Sequence, residues 1–214
     1  MLITYHGHSQ FALEFSNGYT LITDPFDAHV GYAMEAHACQ AVTVSHSHGD
    51  HNCVEKLSGK PVVVDRAGVH ALAPDVRVTA IPSVHDDAGG AKRGQNLIMK
   101  IQADGLTLLH LGDQGDLLTP AQLQQIGKTD ILFIPIGGFY TIDAAAARRI
   151  VEDLRPRVVI PMHYKTAVNA DWPITDEKPF LQKMGKPNLA PMPLLRITKG
   201  DLAQQPSLAL LQIR

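Results

Sequence analysis

The sequence lacks the features that mark a membrane protein, a nucleic-acid binder or an exported protein. No run approaches the roughly 20 apolar residues that a membrane-spanning helix needs. The formal net charge is -2, and no cluster of lysine and arginine is long enough to follow a phosphate backbone. The first residues lack the basic region of a signal peptide. We therefore expect a cytoplasmic protein that has no membrane or nucleic-acid partner.

Cysteine is equally scarce. Cys39 and Cys53 are the two cysteines, and their spacing fits neither a zinc knuckle nor a redox pair, so we predict two small buried thiols. Stability must then come from a hydrophobic core. With 214 residues, 45% of them hydrophobic and 19% charged, the chain can bury one, and we expect a single domain over residues 1–214.

Short β-rich segments make up most of the chain. Asn17-Gly18 between two of them predicts a tight hairpin. The predicted strands are Leu2–Tyr5, Gln10–Phe15, Tyr19–Thr23, Val42–Ser45, Val62–Asp65, Val76–Ile81, Gln95–Gln102, Leu106–Leu111, Ile131–Ile136, Val158–Met162, Leu194–Ile197 and Leu208–Ile213.

Helical patterns are fewer. Thr119-Pro120 predicts the start of a helix that ends at Ile126, because threonine caps helices and proline suits their first position. Further helices are predicted over Asp143–Leu154 and Lys178–Met184, with short ones after His51 and Arg66. Strands that outnumber helices, with βα units in both halves, indicate an α/β architecture of sheets packed face to face with helices outside.

The segment His46-Ser47-His48-Gly49-Asp50-His51 follows an apolar strand and gathers three imidazoles and a carboxylate. On an extended chain His46 and His48 share a face, while a turn at Gly49 directs Asp50 and His51 toward a second position. Such ligands suit zinc, manganese or iron. A solvated polar loop is the alternative, but packing gives no reason to gather four ligand-type side chains there.

Three more ligand-type residues follow predicted strands: His85, Asp113 and His163. Loops at the carboxyl edge of a sheet converge, so these side chains are expected beside the histidine-rich segment. Asp113 alone, close to glycines 112 and 115, could be a turn residue. Together with the histidine-rich segment, the three residues favour one metal site.

These motifs resemble the metallo-β-lactamase-fold hydrolase superfamily, in its single-domain branch with ascorbate-6-phosphate lactonase-like hydrolases. The resemblance covers nearly the whole chain and implies a four-layer αββα sandwich with a dinuclear site at an open edge. The matching motifs are HSHGDH, Gly7-His8-Ser9 with Phe11, Asp24-Pro25, Gly112-Asp113 with Gly115, Gly137-Gly138 with Tyr140-Thr141-Ile142-Asp143, and Pro161-Met162-His163-Tyr164.

The resemblance implies a role for each motif residue. The first metal would be held by His46, His48 and His85, the second by Asp50, His51 and His163, and Asp113 would bridge them. Asp24 would orient the HSHGDH loop without binding metal. For the other histidines we expect hydrogen bonding within the fold (His6, His8 and His110) or a surface or loop position (His29, His37 and His70).

The implied activity is hydrolysis by a hydroxide that bridges two divalent cations, with zinc as the first choice and manganese or iron as alternatives. Asp50 and Asp113 are the predicted catalytic residues, Asp50 passing a proton to the leaving group. His8, Tyr164 and Lys165 are candidates for contact with the substrate. The alternative is a protein that binds metal on the same fold for redox sensing or storage.

Differences from related families narrow the substrate. Only 49 residues separate Asp113 from His163, too few for the cap domain of nuclease members, and His48 replaces the glutamate of flavodiiron relatives. Native β-lactamase activity is also disfavoured, since no signal segment is present. A small, anionic metabolite is expected as substrate, with a lactone, phosphodiester or other ester bond. The stretches Phe26–Gln40 and Thr166–Pro193 would form a lip over the site or ordinary crossover connections.

Overall fold

The computed structural model describes residues 1–33 and 37–214, and within them two six-stranded sheets form the body of the protein. The first sheet has the order β12-β1-β2-β3-β4-β5 and the second has the order β11-β10-β9-β8-β7-β6. The strands are β1 (Leu2–Gly7), β2 (Gln10–Glu14), β3 (Thr20–Thr23), β4 (Ala41–Thr43), β5 (Val62–Val64), β6 (Gly68–Ala73), β7 (Val76–Val84), β8 (Gln95–Ala103), β9 (Leu106–His110), β10 (Ile131–Pro135), β11 (Val158–Met162) and β12 (Leu195–Arg196).

Each sheet is mixed. In the first, β12 to β3 pair antiparallel, and β3, β4 and β5 are parallel. In the second, β6 to β9 pair antiparallel, and β9, β10 and β11 are parallel. The α-helices in the described residues are α1 (Pro120–Ile126), α2 (Ala144–Leu154) and α3 (Lys178–Lys183). No helix of the described residues is long and apolar enough to cross a membrane.

The two sheets pack face to face through aromatic side chains. Phe11 of β2 lies with its ring centroid 4.6 Å from that of Phe133 on β10, and Tyr5 of β1 stacks on Phe11 at 4.6 Å. Apolar residues of both sheets and of all three helices form one continuous buried core. On the outer face of the first sheet, Val54 and Leu57 cover a smaller cluster around Val42. The predicted α/β sandwich is therefore confirmed.

The strand directions bring several loops to one edge of the sandwich, which we call the site edge. Strands β1, β7, β9 and β11 run toward it and end directly before the loops that hold His8, His85, Asp113 and His163. The HSHGDH loop leaves β4 at the same edge. The opposite edge carries the hairpin turn at Asp104-Gly105 and the start of β10.

Most predicted elements are confirmed within one or two residues. Thr119 caps α1 in a capping box with Gln122, Asp143 caps α2, and the Asn17-Gly18 turn joins β2 to β3. The short helix predicted after His51 is a 3-10 turn, Val54–Lys56. Both cysteines are buried and free, as predicted.

Two predictions of secondary structure are wrong. The segment after Arg66 is the strand β6, because it pairs with β7 through a Pro74-Asp75 turn, and this pairing outweighs the helix preference of its alanines and leucine. The segment Leu208–Ile213 forms isolated bridges to Val159, Met192 and Tyr5 and no continuous strand. Its residues 208–211 are nevertheless buried in the core.

Candidate metal centre

The HSHGDH loop is held in place by the buried carboxylate of Asp24. One carboxylate oxygen of Asp24 accepts a hydrogen bond from the Ser45 N–H at 2.8 Å. The other accepts from the Ser45 hydroxyl at 2.6 Å and lies 2.9 Å from Nδ1 of His51. These contacts fix where the loop leaves β4 and how the His51 ring is turned. The predicted orienting contact of Asp24 is thus present.

Three imidazoles meet on the solvent side of the site, and we call them the outer group: His46, His48 and His85. Nε2 of His46 lies 3.0 Å from Nδ1 of His48, and one nitrogen from each ring lies within 4.8 Å of the other two. His48 is exposed, His46 half-buried and His85 buried. This set is the one predicted to hold the first metal.

Four residues meet deeper in the protein, and we call them the inner group: His8, Asp50, His51 and His163. One donor atom from each lies within 4.8 Å of the others. Nε2 of His8 lies 3.2 Å from Oδ2 of Asp50 and 3.1 Å from Nε2 of His51. The three predicted ligands of the second metal are therefore together, and His8 joins them.

Asp113 lies between the two groups. Its Oδ2 is 3.2 Å from Nε2 of His85 and 3.4 Å from Nε2 of His163, and its Oδ1 is 3.2 Å from Nε2 of His51. Asn96 on β8 positions it by accepting a hydrogen bond from the Asp113 N–H at 3.1 Å. Gly112 permits this turn, because its φ is +54° and a Cβ there would lie 2.5 Å from the Asn96 side chain.

Burial and mutual charge set the protonation of these groups. Burial and the nearby His163 lower the pKa of His8 to about 4, and burial lowers the pKa of His46 to about 3. Burial also acts to lower the pKa of His51, but the carboxylates of Asp113 and Asp24 outweigh it and raise this pKa well above its usual value. Burial would raise the pKa of Asp113, yet His163 and His51 hold it well below its usual range.

This donor set fits divalent cations. The imidazoles of His8 and His46, whose pKa values are lowered, offer nitrogen lone pairs, and the ionised carboxylates of Asp50 and Asp113 supply negative charge among the rings. Oδ1 of Asp113 is buried and lies 3.2 Å from Nε2 of His51, but it accepts no hydrogen bond of good geometry. Buried polar atoms without a protein partner are uncommon and call for an explanation such as an ion. Nitrogen and oxygen donors in this mixture suit zinc, manganese or iron.

All seven residues predicted as ligands converge at this site, although their binding of metal stays a prediction. His8 hydrogen-bonds within the fold, as predicted, and its partners are the proposed ligands Asp50 and His51. A left-handed backbone, with φ of +54°, turns the chain there directly after β1. His110 and His6 do hydrogen-bond within the fold, to the carbonyls of Ser9 and Arg214, each at 2.9 Å.

A cavity of about 430 Å³ opens onto the ligand set. Tyr140, Trp172 and His29 contribute aromatic walls, and Arg93 contributes a cation. Trp172 and His29 come from the two stretches predicted to form a lip, so both stretches border the site. Met34, which belongs to the first of these stretches, lies outside the described residues. The cavity-lining residues of the described chain are Asp27, His29, His48, Gly49, Asp50, His85, Arg93, Asp113, Tyr140, His163 and Trp172.

The three predicted substrate contacts, His8, Tyr164 and Lys165, are not among these lining residues. Arg93, Asp27 and Tyr140 line the cavity and were missed as site residues. Tyr140 stands in a motif that carries the family resemblance, but for Arg93 the only sequence signal is the glycine-rich segment that follows His85.

Residues 2–163 match the family model described as a beta-lactamase superfamily domain. The chain belongs to this superfamily. Its relatives include a metal-dependent hydrolase of Archaeoglobus fulgidus, 28% identical over 209 residues that cover 84% of this chain and 87% of the relative. One from Pyrococcus furiosus is also 28% identical and covers 86% and 92% of the two chains.

Solved structures of this superfamily agree with the fold. A Thermotoga maritima protein described as a Zn-dependent hydrolase of the metallo-beta-lactamase superfamily superposes with a TM-score of 0.79 at 29% identity. The match covers 99% of this chain and 98% of that protein. A metallo hydrolase from Ignicoccus hospitalis gives a TM-score of 0.63 at 25% identity and covers 86% and 90% of the two chains.

Proposed function

We propose that this chain is a single-domain, metal-dependent hydrolase that cleaves an ester bond in a small anionic metabolite. It would bind two divalent cations, for which zinc is the first choice. The carrying observation is the arrangement of Asp113 between the inner and outer groups, within 3.4 Å of nitrogens from His85, His51 and His163. The names of the metal-dependent hydrolases among its relatives support the reaction class.

In this proposal the outer group would hold one cation and the inner group the other, with the carboxylate of Asp113 available between them. Bound divalent cations lower the pKa of water toward neutrality and place positive charge beside the oxygen of the scissile group. The chain's own contribution is to hold imidazoles and ionised carboxylates in fixed positions. Asp24 orients His51, and Asn96 orients Asp113, so the inner group and the carboxylate beside it are preorganised by hydrogen bonds from outside the site.

Asp50 is proposed to move the proton. Its side chain is part-exposed and lines the cavity, whereas Asp113 is buried. Burial would raise the pKa of Asp50, but a hydrogen bond from His8 and the positive charge of His51 lower it below its usual range. An ionised carboxylate at the cavity wall can take a proton from the attacking water and deliver it to the leaving group.

The proposed substrate is small because the cavity is small. A volume of about 430 Å³ is at the lower end of the range for drug-sized ligands. Walls from Tyr140 and Trp172 limit the space beside the reacting group. These features favour a single metabolite over a polymer.

The test combines metal analysis with an activity screen. Purified protein should hold two equivalents of zinc, and it should hydrolyse at least one of a panel of lactones, phosphodiesters, thioesters and esters with zinc, manganese or iron supplied. His48→Ala should reduce both metal content and turnover. His70→Ala is the matched control, since His70 lies on β6 outside the site and should leave both unchanged. Two bound metals without turnover of any class would favour the redox-sensing or storage alternative, and no bound metal would overturn the proposal.

A further inference from the structure

Arg93 is the one permanently charged cation among the described residues that line the cavity. The other lining residues with ionisable side chains are histidines, aspartates and a tyrosine. Once metals neutralise Asp50 and Asp113, Arg93 adds a positive charge at a second point of the same cavity. This position differs from that of Lys92, whose ammonium pairs with Asp87 at 2.6 Å and does not line the cavity.

The loop that carries Arg93 is fixed relative to the metal centre. It starts directly after His85 and returns to it, because the His85 N–H donates to the carbonyl of Gly94 at 3.1 Å. Within the loop, the buried carboxylate of Asp86 accepts hydrogen bonds from the backbone N–H groups of residues 88, 90, 92 and 93 at 2.7 to 2.9 Å. A loop tied to a proposed ligand at both ends holds the side chain of Arg93 at a set place in the cavity wall.

Aromatic rings hold the guanidinium itself. Its central carbon lies 5.7 Å from the ring centroid of Tyr140 and 5.8 Å from that of Phe139. Stacking on rings restrains an arginine while leaving its N–H donors free for a planar anion. Tyr140 in turn meets Trp172 edge to face at 6.1 Å, so the two aromatic walls of the cavity and Arg93 form one unit.

No carboxylate of the described residues pairs with Arg93. It also borders an outer cavity of about 520 Å³, and the carboxylates there already have partners. Asp87 pairs with Lys92, and Asp143 caps α2. Asp86 accepts hydrogen bonds from four backbone N–H groups, and Asp116 accepts one from the Leu117 N–H. A half-buried arginine without an ion pair is suited to an anion supplied from outside.

We propose that Arg93 binds the anionic group, a carboxylate or a phosphate, of the substrate whose scissile bond lies at the metal centre. This rests on the proposed function, since it takes the metal centre as the place of the reaction. Arg93 is thus a specificity-determining residue, and the substrate class is a small ester with a second, anionic end. The guanidinium fork favours such a group through two parallel N–H···O hydrogen bonds.

The test measures binding and turnover separately. Zinc-loaded protein is titrated by calorimetry with linear dicarboxylates of four to eight carbons and with their monomethyl esters. A second arm uses phosphonocarboxylates of equal length and so distinguishes phosphate from carboxylate as the preferred group. Wild-type protein should bind the best dianion about 10 to 100 times more tightly than the corresponding monoester, a factor typical of a hydrogen-bonded charge pair.

The variants decide between recognition and a purely structural role. Arg93→Ala should abolish the preference for the dianion, Arg93→Lys should retain part of it, and Lys92→Ala should keep it whole. If Arg93 had a purely structural role, Arg93→Ala would weaken the binding of the dianion and of the monoester equally. The ratio of the two affinities would then stay unchanged, and this result would overturn the proposal. The absence of any preference in wild-type protein would overturn it as well.

Turnover of 4-nitrophenyl hydrogen adipate and of its methyl ester separates this inference from the proposed function. The two share the scissile bond and differ in the distal charge. A preference for the charged ester that Arg93→Ala removes, chiefly through KM, supports both proposals. Lack of turnover and of zinc binding overturns the proposed function, and with it the role of Arg93 toward a hydrolysed substrate. The anion site itself would still stand if the metal-free chain prefers dianions and loses that preference in Arg93→Ala, and it would fall if it shows no such preference.

Discussion

Asp113 at the site edge differs from two carboxylates at the opposite edge, Asp104 and Asp130, in the number of protein groups that satisfy it. At the opposite edge, Asp104 accepts hydrogen bonds from the Ser16 backbone and hydroxyl and lies 3.2 Å from the N-terminal ammonium. Asp130 there accepts from the Thr107 N–H at 2.9 Å and pairs with Lys199 at 3.3 Å. At the site edge, Oδ1 of Asp113 is buried without a hydrogen bond.

This difference separates parts that stabilise the fold from parts that serve chemistry. A carboxylate that is ion-paired with ammonium groups and hydrogen-bonded to N–H groups has its charge balanced within the chain and needs no ligand. At the site edge the carboxylates of Asp50 and Asp113 lie among imidazoles, and a bound cation would offset their remaining negative charge. Site-edge substitutions should therefore change metal binding and turnover, and opposite-edge substitutions should change stability alone.

The largest effect is expected for Asp113→Ala. It removes the carboxylate between the two groups, so two cations would face each other without the charge that offsets their repulsion. We expect the loss of at least one metal equivalent and of about a thousandfold or more in kcat/KM, while the chain stays folded. Metal analysis, steady-state kinetics and circular dichroism measure the three quantities.

Asp116→Asn is the matched control for that variant. Asp116 is exposed and three residues further along the same loop, so its substitution should leave metal content and turnover as in the wild type. Two metals and full activity in Asp113→Ala would contradict the bridging position assigned to this residue.

A smaller effect is expected for Asp24→Asn, which keeps the shape of the side chain but removes the charge facing His51 and Ser45. Groups that orient metal ligands typically contribute 10- to 100-fold in affinity, so metal affinity should fall by about that factor. Competition with a chromogenic chelator measures it.

Asp130→Asn provides the comparison from the opposite edge. Its metal affinity should equal that of the wild type, and its stability should fall by about 1 kcal/mol, the usual contribution of a hydrogen bond. A loss of metal affinity in Asp130→Asn equal to that in Asp24→Asn would abolish the distinction between the two edges.

Metal removal should lower the melting temperature by about 10 to 20 °C, as expected for two cations each present at about 100 times its Kd in a chain of this size. The amide protons of the HSHGDH loop should exchange faster in the metal-free protein, while those around Asp104 and Asp130 should not change. Hydrogen exchange with and without a chelator measures this. Equal acceleration at both edges would mean that the cations stabilise the whole sandwich and not the site edge.

How far the sequence predicts the molecule depends on the range of the interaction. The strands and the seven ligand-type residues were predictable, because hydrophobic runs and the residues directly after them are local signals. The strand β6 was mispredicted, since its pairing with β7 outweighs its own preference. Arg93 was missed because its role depends on Tyr140 and Phe139, which are more than 40 residues away. The hydrogen bonding of His8 was predicted, but its partners were not, since Asp50 and His51 reach it only in the folded chain.

The smallest effect concerns Asp104 and acid pH. Burial would raise the pKa of this carboxyl, but hydrogen bonds from Ser16 and the N-terminal ammonium outweigh it and lower the pKa. A carboxyl with a lowered pKa takes up its proton less readily in the folded than in the unfolded chain, so its contribution to stability is complete above about pH 4 and is lost as the pH falls below that.

Asp104→Asn should reduce the free energy of unfolding at pH 7 by about 1 kcal/mol or less, because the ion pair is near the surface. The difference between wild type and variant should shrink toward pH 3, as urea unfolding at several pH values would show. Metal content and kcat/KM at pH 7 should stay at wild-type values; a variant that lost metal instead would show that the opposite edge is coupled to the site and that the division between the two edges is wrong.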